Sequence, residues 1–304
     1  MSLQVLRSDA LLFSAAIIWG FAFVAQRVGM DYIGPFTFNG VRFALGCITL
    51  LPFLVVGRRQ QRTTGNVELQ GNARKGIVGV SLAGLVLFGG ASLQQVGLVY
   101  TTAGKAGFIT GLYVILVPIL GLIWKQRTGA GTWFGACLAA FGLYLLSVTA
   151  GFAISWGDLL EFLGAFFWAG HVMIIGWLVR STNPLRVAFL QYAICSILSL
   201  VVALSAEIVG TRGIYESLIP LLYSGVLSVG LAYTLQVVAQ RGARPAHVAI
   251  LLSLESVFAA IGGWLILGES LPFRGVAGCL LMLSGMLVTQ LWETLKEAPA
   301  ASSA

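Results

Sequence analysis

Ten long apolar runs, each closed off by charge, glycine or proline, account for most of the chain. They fall at approximately 9–28, 35–56, 76–98, 102–123, 131–149, 158–179, 185–207, 217–239, 245–267 and 272–292. Each is close to the length that carries a helix across about 30 Å of hydrocarbon. The runs are continuous and do not alternate with polar residues, so they predict helices rather than the strands of a membrane barrel. The expected fold is an all-α polytopic membrane protein with ten transmembrane helices.

The polar punctuation of these runs repeats. Asp9, Trp19 and Pro35 recur as Asp158, Trp168 and Pro184, 149 positions on. Further along, Gln94, Gly121 and Cys137 recur as Gln236, Gly263 and Cys279, 142 positions on. The shortening falls between the second and third spans, where the first half holds a polar loop from Gly57 to Lys75. Two similar halves of five spans each must lie antiparallel, an arrangement common among transporters. The expected division is a first five-helix repeat over 1–150, a second, inverted five-helix repeat over 151–292, and a short tail over 293–304.

Composition narrows the class. Hydrophobic residues make up 58% of the chain and charged residues 10%, against about 25% charged in a soluble domain. So few charges cannot cover an aqueous surface, which excludes a soluble globular protein and a disordered chain alike. The 18 Lys and Arg residues set the orientation. With the N-terminus in the cytoplasm, 13 of them fall in inner segments and four (Arg27, Lys105, Arg212, Arg274) in outer ones, while Arg42 sits inside a span. That bias predicts that both termini are cytoplasmic. It also accounts for the net charge of +7 without a nucleic-acid partner. The first run is expected to be an uncleaved helix rather than a signal peptide.

Cys47, Cys137, Cys195 and Cys279 all lie in apolar runs without metal-ligand spacing, so they read as packing residues; no metal or cofactor is expected. Six tryptophans (Trp124, Trp133, Trp156, Trp177, Trp264, Trp292) sit near span ends, where amphipathic rings prefer the interface. Trp19 and Trp168 lie mid-span and are related by the repeat.

Three stretches resemble the drug/metabolite transporter superfamily, specifically its EamA-type exporters. They are Ala106-Gly-Phe-Ile-Thr110-Gly-Leu-Tyr113-Val-Ile-Leu-Val-Pro118, Leu254-Glu255-Ser-Val-Phe-Ala-Ala, and Leu267-Gly268-Glu269-Ser-Leu. The resemblance extends over about residues 9–292 in the duplicated form, and within that superfamily the chain is similar to amino-acid exporters of the YddG type. The likeness implies export of amino acids, aromatic ones among them, and related metabolites across a bacterial inner membrane. Two departures matter. Ser256 follows Glu255 where the family often has proline, so no proline kink is expected there. The first half carries Lys125-Gln126-Arg127 where the second carries Gly-Glu.

Ionisable residues inside spans are functional candidates, because a charge near the bilayer centre costs about 2.5–3.5 kcal/mol on insertion scales. Glu255, midway through span nine, either binds a substrate ammonium or carries a proton, or else stays neutral and hydrogen-bonds a neighbouring helix. His171, one turn after Trp168, is either a relay or a neutral hydrogen-bonding group. Arg42 shares a face with Asn39 and either holds a carboxylate or snorkels toward the outer interface. His247 lies nearer a span end and is a weaker candidate. Tyr233, Gln236 and Gln240 fall on one helical face, and Gln94 is the repeat mate of Gln236. Thr110 and Tyr113 give span four a comparable face. A cavity lined by these groups and by Trp19 and Trp168 suits a small amphipathic solute. Possible coupling falls to Glu255 and His171, with protons as a candidate partner.

Three function classes compete. A secondary transporter working by alternating access fits the repeat and the polar faces. An intramembrane lipid- or metabolite-modifying enzyme would need convergent catalytic groups, and the two histidines lie on different spans with no nucleophile motif. A channel would need a ring of charges or a filter sequence. No Gly-x-x-x-x-Gly-Lys-[Ser/Thr] loop occurs in the chain, so ATP does not drive it directly. The small-molecule transporter is preferred, as a non-enzyme able to act as a monomer in the bilayer.

Overall fold

A computed structural model describes residues 3–64, 73–123, 129–147, 155–241, 243, 245–270 and 272–297. The segment 65–72, Trp124 to Thr128 with Lys125 and Arg127, Arg244 and the tail 298–304 lie outside them. Among the described residues the chain is all helix: α1 (Leu3–Gly29), α2 (Pro35–Thr64) and α3 (Ala73–Tyr100) open the first half. The fourth apolar run is two helices, α4 (Ala103–Thr110) and α5 (Tyr113–Ile123), followed by α6 (Ala130–Ser147). The second half begins with α7 (Trp156–Leu178) and α8 (Pro184–Ala206). Short helices α9 (Thr211–Glu216) and α10 (Leu218–Leu222) lead into a π-helical stretch, Tyr223–Tyr233, and α11 (Thr234–Ala239). A second broken run, α12 (Pro245–Leu252) and α13 (Glu255–Leu267), precedes α14 (Phe273–Glu297).

Eight helical stretches among the described residues are long and apolar enough to cross a membrane, and Trp133–Gly142 and Phe273–Gly285 are shorter apolar helices. Local chemistry sets several starts. Ser155 accepts a hydrogen bond from Asp158 N (3.1 Å) at the head of α7. Asn183 accepts one from Leu185 N (3.0 Å), ahead of Pro184 at the first position of α8.

Each break is a run of tight turns with hydrogen bonds to the third residue back. In the first half Leu112 N bonds Ile109 O, Val114 N bonds Gly111 O and Ile115 N bonds Leu112 O. In the second, Leu254 N bonds Leu251 O, Ser256 N bonds Ser253 O and Val257 N bonds Leu254 O. Gly111 and Ser253, like Tyr113 and Glu255, are 142 positions apart, so the breaks are repeat mates. The α12–α13 break therefore forms without the family's proline. It is supported across the bundle by Ser256 Oγ, which donates to Gly107 O (2.6 Å) on α4.

The most extensive helix pairings are α6 with α14, α3 with α7, α2 with α8, and α1 with α13, followed by α4 with α13. Small residues allow the α6–α14 contact. A Cβ on Gly142 would lie 2.6 Å from Gly278 O, and one on Gly285 would lie 2.5 Å from Gly135 O. Backbones that approach this closely gain van der Waals contact that apolar burial does not supply in lipid. Gly142→Leu is expected to lower stability by about 1–3 kcal/mol through overpacking. Substrate preference should not change, because neither helix lines the central cavity. An unaltered melting curve in detergent would show that the helices do not meet there.

One end of the bundle is tied by three carboxylates. Glu207, just past α8, accepts from Phe36 N, Thr37 N and Thr37 Oγ1 at 2.8, 2.8 and 2.7 Å, closing the head of α2. Gly268 ends α13 at φ 67, a left-handed conformation that favours glycine. That turn aims Glu269 at the head of α4, where Ala103 N and Gly104 N donate to it at 2.8 and 2.9 Å. Asp158 accepts from Thr101 Oγ1 (2.8 Å) and pairs with Lys105 Nζ (3.2 Å). Anions at helix N-termini meet both unpaired N–H groups and the favourable end of the helix dipole.

Candidate functional site

The polar positions of eight helices and the π-helical stretch converge on one internal cavity. On α1, Trp19, Phe23 and Gln26 form a single stripe at i, i+4 and i+7. Helix α2 supplies Arg42, α3 Gln94, and the two sides of the α4–α5 break supply Thr110 and Tyr113. Trp168 and His171 come from α7, Tyr233 from the π-helical stretch, Gln236 from α11 and Glu255 from the start of α13. The cavity volume is only about 30 Å³. It is drawn out and narrow, with room for only on the order of two water molecules.

Tyr233 is the hub of an aromatic wall. Its ring lies 4.4 Å from Trp19 and 6.2 Å from Trp168, with His171 at 6.3 Å. Trp19 Nε1 donates to Ser228 O (3.2 Å), a carbonyl within the π-helical stretch. The Trp168 indole N–H is buried without a partner.

Two groups of opposite formal charge face this space. Arg42 is 1% exposed, donates from Nε to Asn39 Oδ1 (2.9 Å), and holds Nη2 without a partner. Its guanidinium carbon sits 5.1 Å from the centre of the Phe43 ring and 5.9 Å from that of Phe38. It does not snorkel to an interface; neighbouring rings and Asn39 hold it inside. Glu255 is 4% exposed. The Tyr113 hydroxyl lies beside its carboxyl, though not in good hydrogen-bonding geometry.

The structure brings together Trp19, Arg42, Gln94, Thr110, Tyr113, Trp168, His171, Tyr233, Gln236 and Glu255. Asn39 and Gln240 stand behind the lining. Asn39 Nδ2 donates to Ala91 O (3.0 Å) and Gln240 Nε2 to Val172 O (2.9 Å), so both lace helices together. His171 Nε2 bonds Gln191 Oε1 (2.8 Å), which fixes its ring from behind. His247 is apart from the cavity, paired with Asp9 at 2.7 Å. Sequence reasoning passed over Gln26, which accepts from Gln94 Nε2 (3.1 Å) and whose backbone carbonyl accepts from Gln95 Nε2 (3.3 Å). The signal was present in its spacing from Trp19.

The sequence pattern of the EamA-like transporter family matches this chain twice, over residues 6–148 and 155–291. A protein of Archaeoglobus fulgidus described as an uncharacterized transporter is 33% identical over 94% of this chain and 86% of its own length. The Bacillus subtilis uncharacterized transporter YoaV is 21% identical over 91% of this chain and 94% of its own. An Escherichia coli protein, the uncharacterized inner membrane transporter YedA, is 26% identical over 75% of this chain and 69% of its own. One solved crystal structure superposes with a TM-score of 0.70 at 16% identity, covering 96% of this chain and 99% of that one, which establishes a shared fold.

Proposed function

Since the chain belongs to the EamA-like transporter family, we propose that it exports amino acids, aromatic ones among them, and related small metabolites by alternating access through the central cavity. In this reading the two shorter apolar helices also cross the bilayer, giving ten spans in two inverted halves. Both termini are cytoplasmic and the membrane is a bacterial inner membrane. The doubled family match supports the duplication. Helix direction supports the inversion: Arg27 near the end of α1 shares a pocket with Tyr100, and Tyr100 in turn abuts Gly157 at the start of α7.

The observation that carries the reading is Arg42 and Glu255 on one buried cavity beside an aromatic wall. A zwitterion offers a carboxylate to the free Arg42 Nη2 and an ammonium to Glu255, while an apolar side chain lies against Trp19 and Tyr233. The cavity is too narrow for such a solute in this conformation, so helices must part to admit it. The matched breaks beside Tyr113 and Glu255 give α4–α5 and α12–α13 a place to bend, as discontinuous helices do in other transporters.

Purified protein in liposomes, loaded with unlabelled phenylalanine and diluted into labelled phenylalanine, tests this directly. The expected result is saturable counterflow that other amino acids compete away. Glu255→Gln should cut it by about tenfold, the loss of one charge-assisted hydrogen bond. Absence of flux for phenylalanine and every other amino acid would end the substrate reading. Wild-type flux in Glu255→Gln would remove Glu255 from the site.

A further inference from the structure

Helix α7 carries an acidic ladder that the cavity does not use. Asp158, in its first turn, is at the tied end of the bundle, where Thr101 and Lys105 hold it and the Lys105 side chain is 29% exposed. One turn further in, Glu161 is 0% exposed. The i, i+3 spacing puts the two carboxyls on one face of the helix. Glu161 Oε2 accepts from Thr110 Oγ1 (3.1 Å), while Oε1 is buried with no partner. Thr110 itself lines the central cavity.

The surroundings leave Glu161 without a counter-charge. The ion pairs described, Arg27–Asp31, Lys105–Asp158, Arg212–Glu216 and His247–Asp9, do not include it, and Lys105, the nearby base on α4, is committed to Asp158. The charged group that faces it is Asp158, on its own helix. From α3 it meets Gly97, where a Cβ would lie 2.8 Å from Oε1; from α4 it meets Thr110. Gly97 thus leaves the space that Oε1 occupies. An isolated carboxylate in such a place costs several kcal/mol, and a single proton on Oε1 removes that cost. A purely packing role would not require an acid there.

We propose that Glu161 is a proton-binding site of the transport cycle, loaded from the tied end by way of Asp158 and communicating with the central cavity through Thr110. One proton enters at the rim, resides on Glu161, and leaves on the opposite side as the solute moves the other way. No electron transfer or other reactant is involved. The proposal rests on the transporter reading, and deepens it by naming the coupling residue.

Two measurements test it, one of which needs no solute. Infrared difference spectra of the protein in lipid, recorded across a pH jump, should show a carboxyl C=O band that gains and loses intensity, and Glu161→Gln should lack it. Thr110→Val, which strips the hydroxyl from Oε2, should shift the same band and assigns it if Glu161→Gln does not fold. In liposomes with labelled phenylalanine as the probe, a gradient of one pH unit can drive up to about tenfold accumulation for one proton exchanged. Glu161→Gln should retain counterflow and lose that accumulation. A Glu161 band that ignores pH, or a variant that accumulates like wild type, overturns the proposal. A wild-type protein that moves no phenylalanine counts against the substrate reading instead, and the infrared band then decides the proton site.

Discussion

Arg42→Met should raise the KM for phenylalanine by about 10- to 100-fold while the protein still folds, the loss of one or two charge-assisted hydrogen bonds. The fold should survive because the guanidinium's neighbours are already apolar: it lies over Phe43 and Phe38, and its one bond from Nε goes to Asn39. Burying an ion costs several kcal/mol, a cost that an apolar chain of similar length does not carry. What should disappear is the fork that a carboxylate would grip, since Nη2 has no hydrogen-bond partner within the protein. Arg42→Lys should fare little better, because an ammonium cannot bond Asn39 and a substrate with one planar group. The discriminating measurement compares phenylalanine with its amide. Arg42→Met should worsen only the acid, and an unchanged KM for the acid would remove Arg42 from recognition.

Glu207→Ala should destabilise the protein by about 3 kcal/mol, several degrees in the melting temperature of the solubilised protein. Its carboxylate takes three hydrogen bonds from the first turn of α2, all at 2.8 Å or less. Removing it leaves those donors to interfacial water and cuts the tie between the end of α8 and the head of α2. Glu207→Gln should fall between, since only one of its terminal atoms accepts. If the alanine variant melts with wild type, the tie contributes nothing. The same substitution should speed thiol labelling of a cysteine placed at Phe36, because the head of α2 is freed to move.

Apolar length alone marks the eight helices among the described residues that are long enough to cross a membrane, and the repeat singles out Trp19, Trp168, Gln94 and Gln236, all of which line the cavity. The breaks could not be read that way. Gly111 and Ser253 are unremarkable in an apolar run, and what holds the second break is Ser256 reaching Gly107 across the bundle, a contact with no local signature. Asn39 and Gln240 show the converse. A polar side chain in a span must find a partner, but the sequence does not say whether that partner is a solute or the Ala91 and Val172 carbonyls. Glu161 escaped notice because it lies near a span start, where an acid reads as interfacial. Only packing by α3 and α4 makes it buried.

The π-helical stretch Tyr223–Tyr233 gives the eighth run a further property. A wide turn carries one residue more than an α-turn of similar rise, so tightening it rotates everything downstream by about a hundred degrees. Tyr233 and Gln236 stand immediately downstream or at its edge, and Trp19 holds the stretch through the Ser228 carbonyl. Tyr223 Oη, which donates to Ile18 O (3.1 Å), ties the stretch to α1 at a second point. Tightening one wide turn would therefore swing Gln236 off the cavity wall together with the rest of α11.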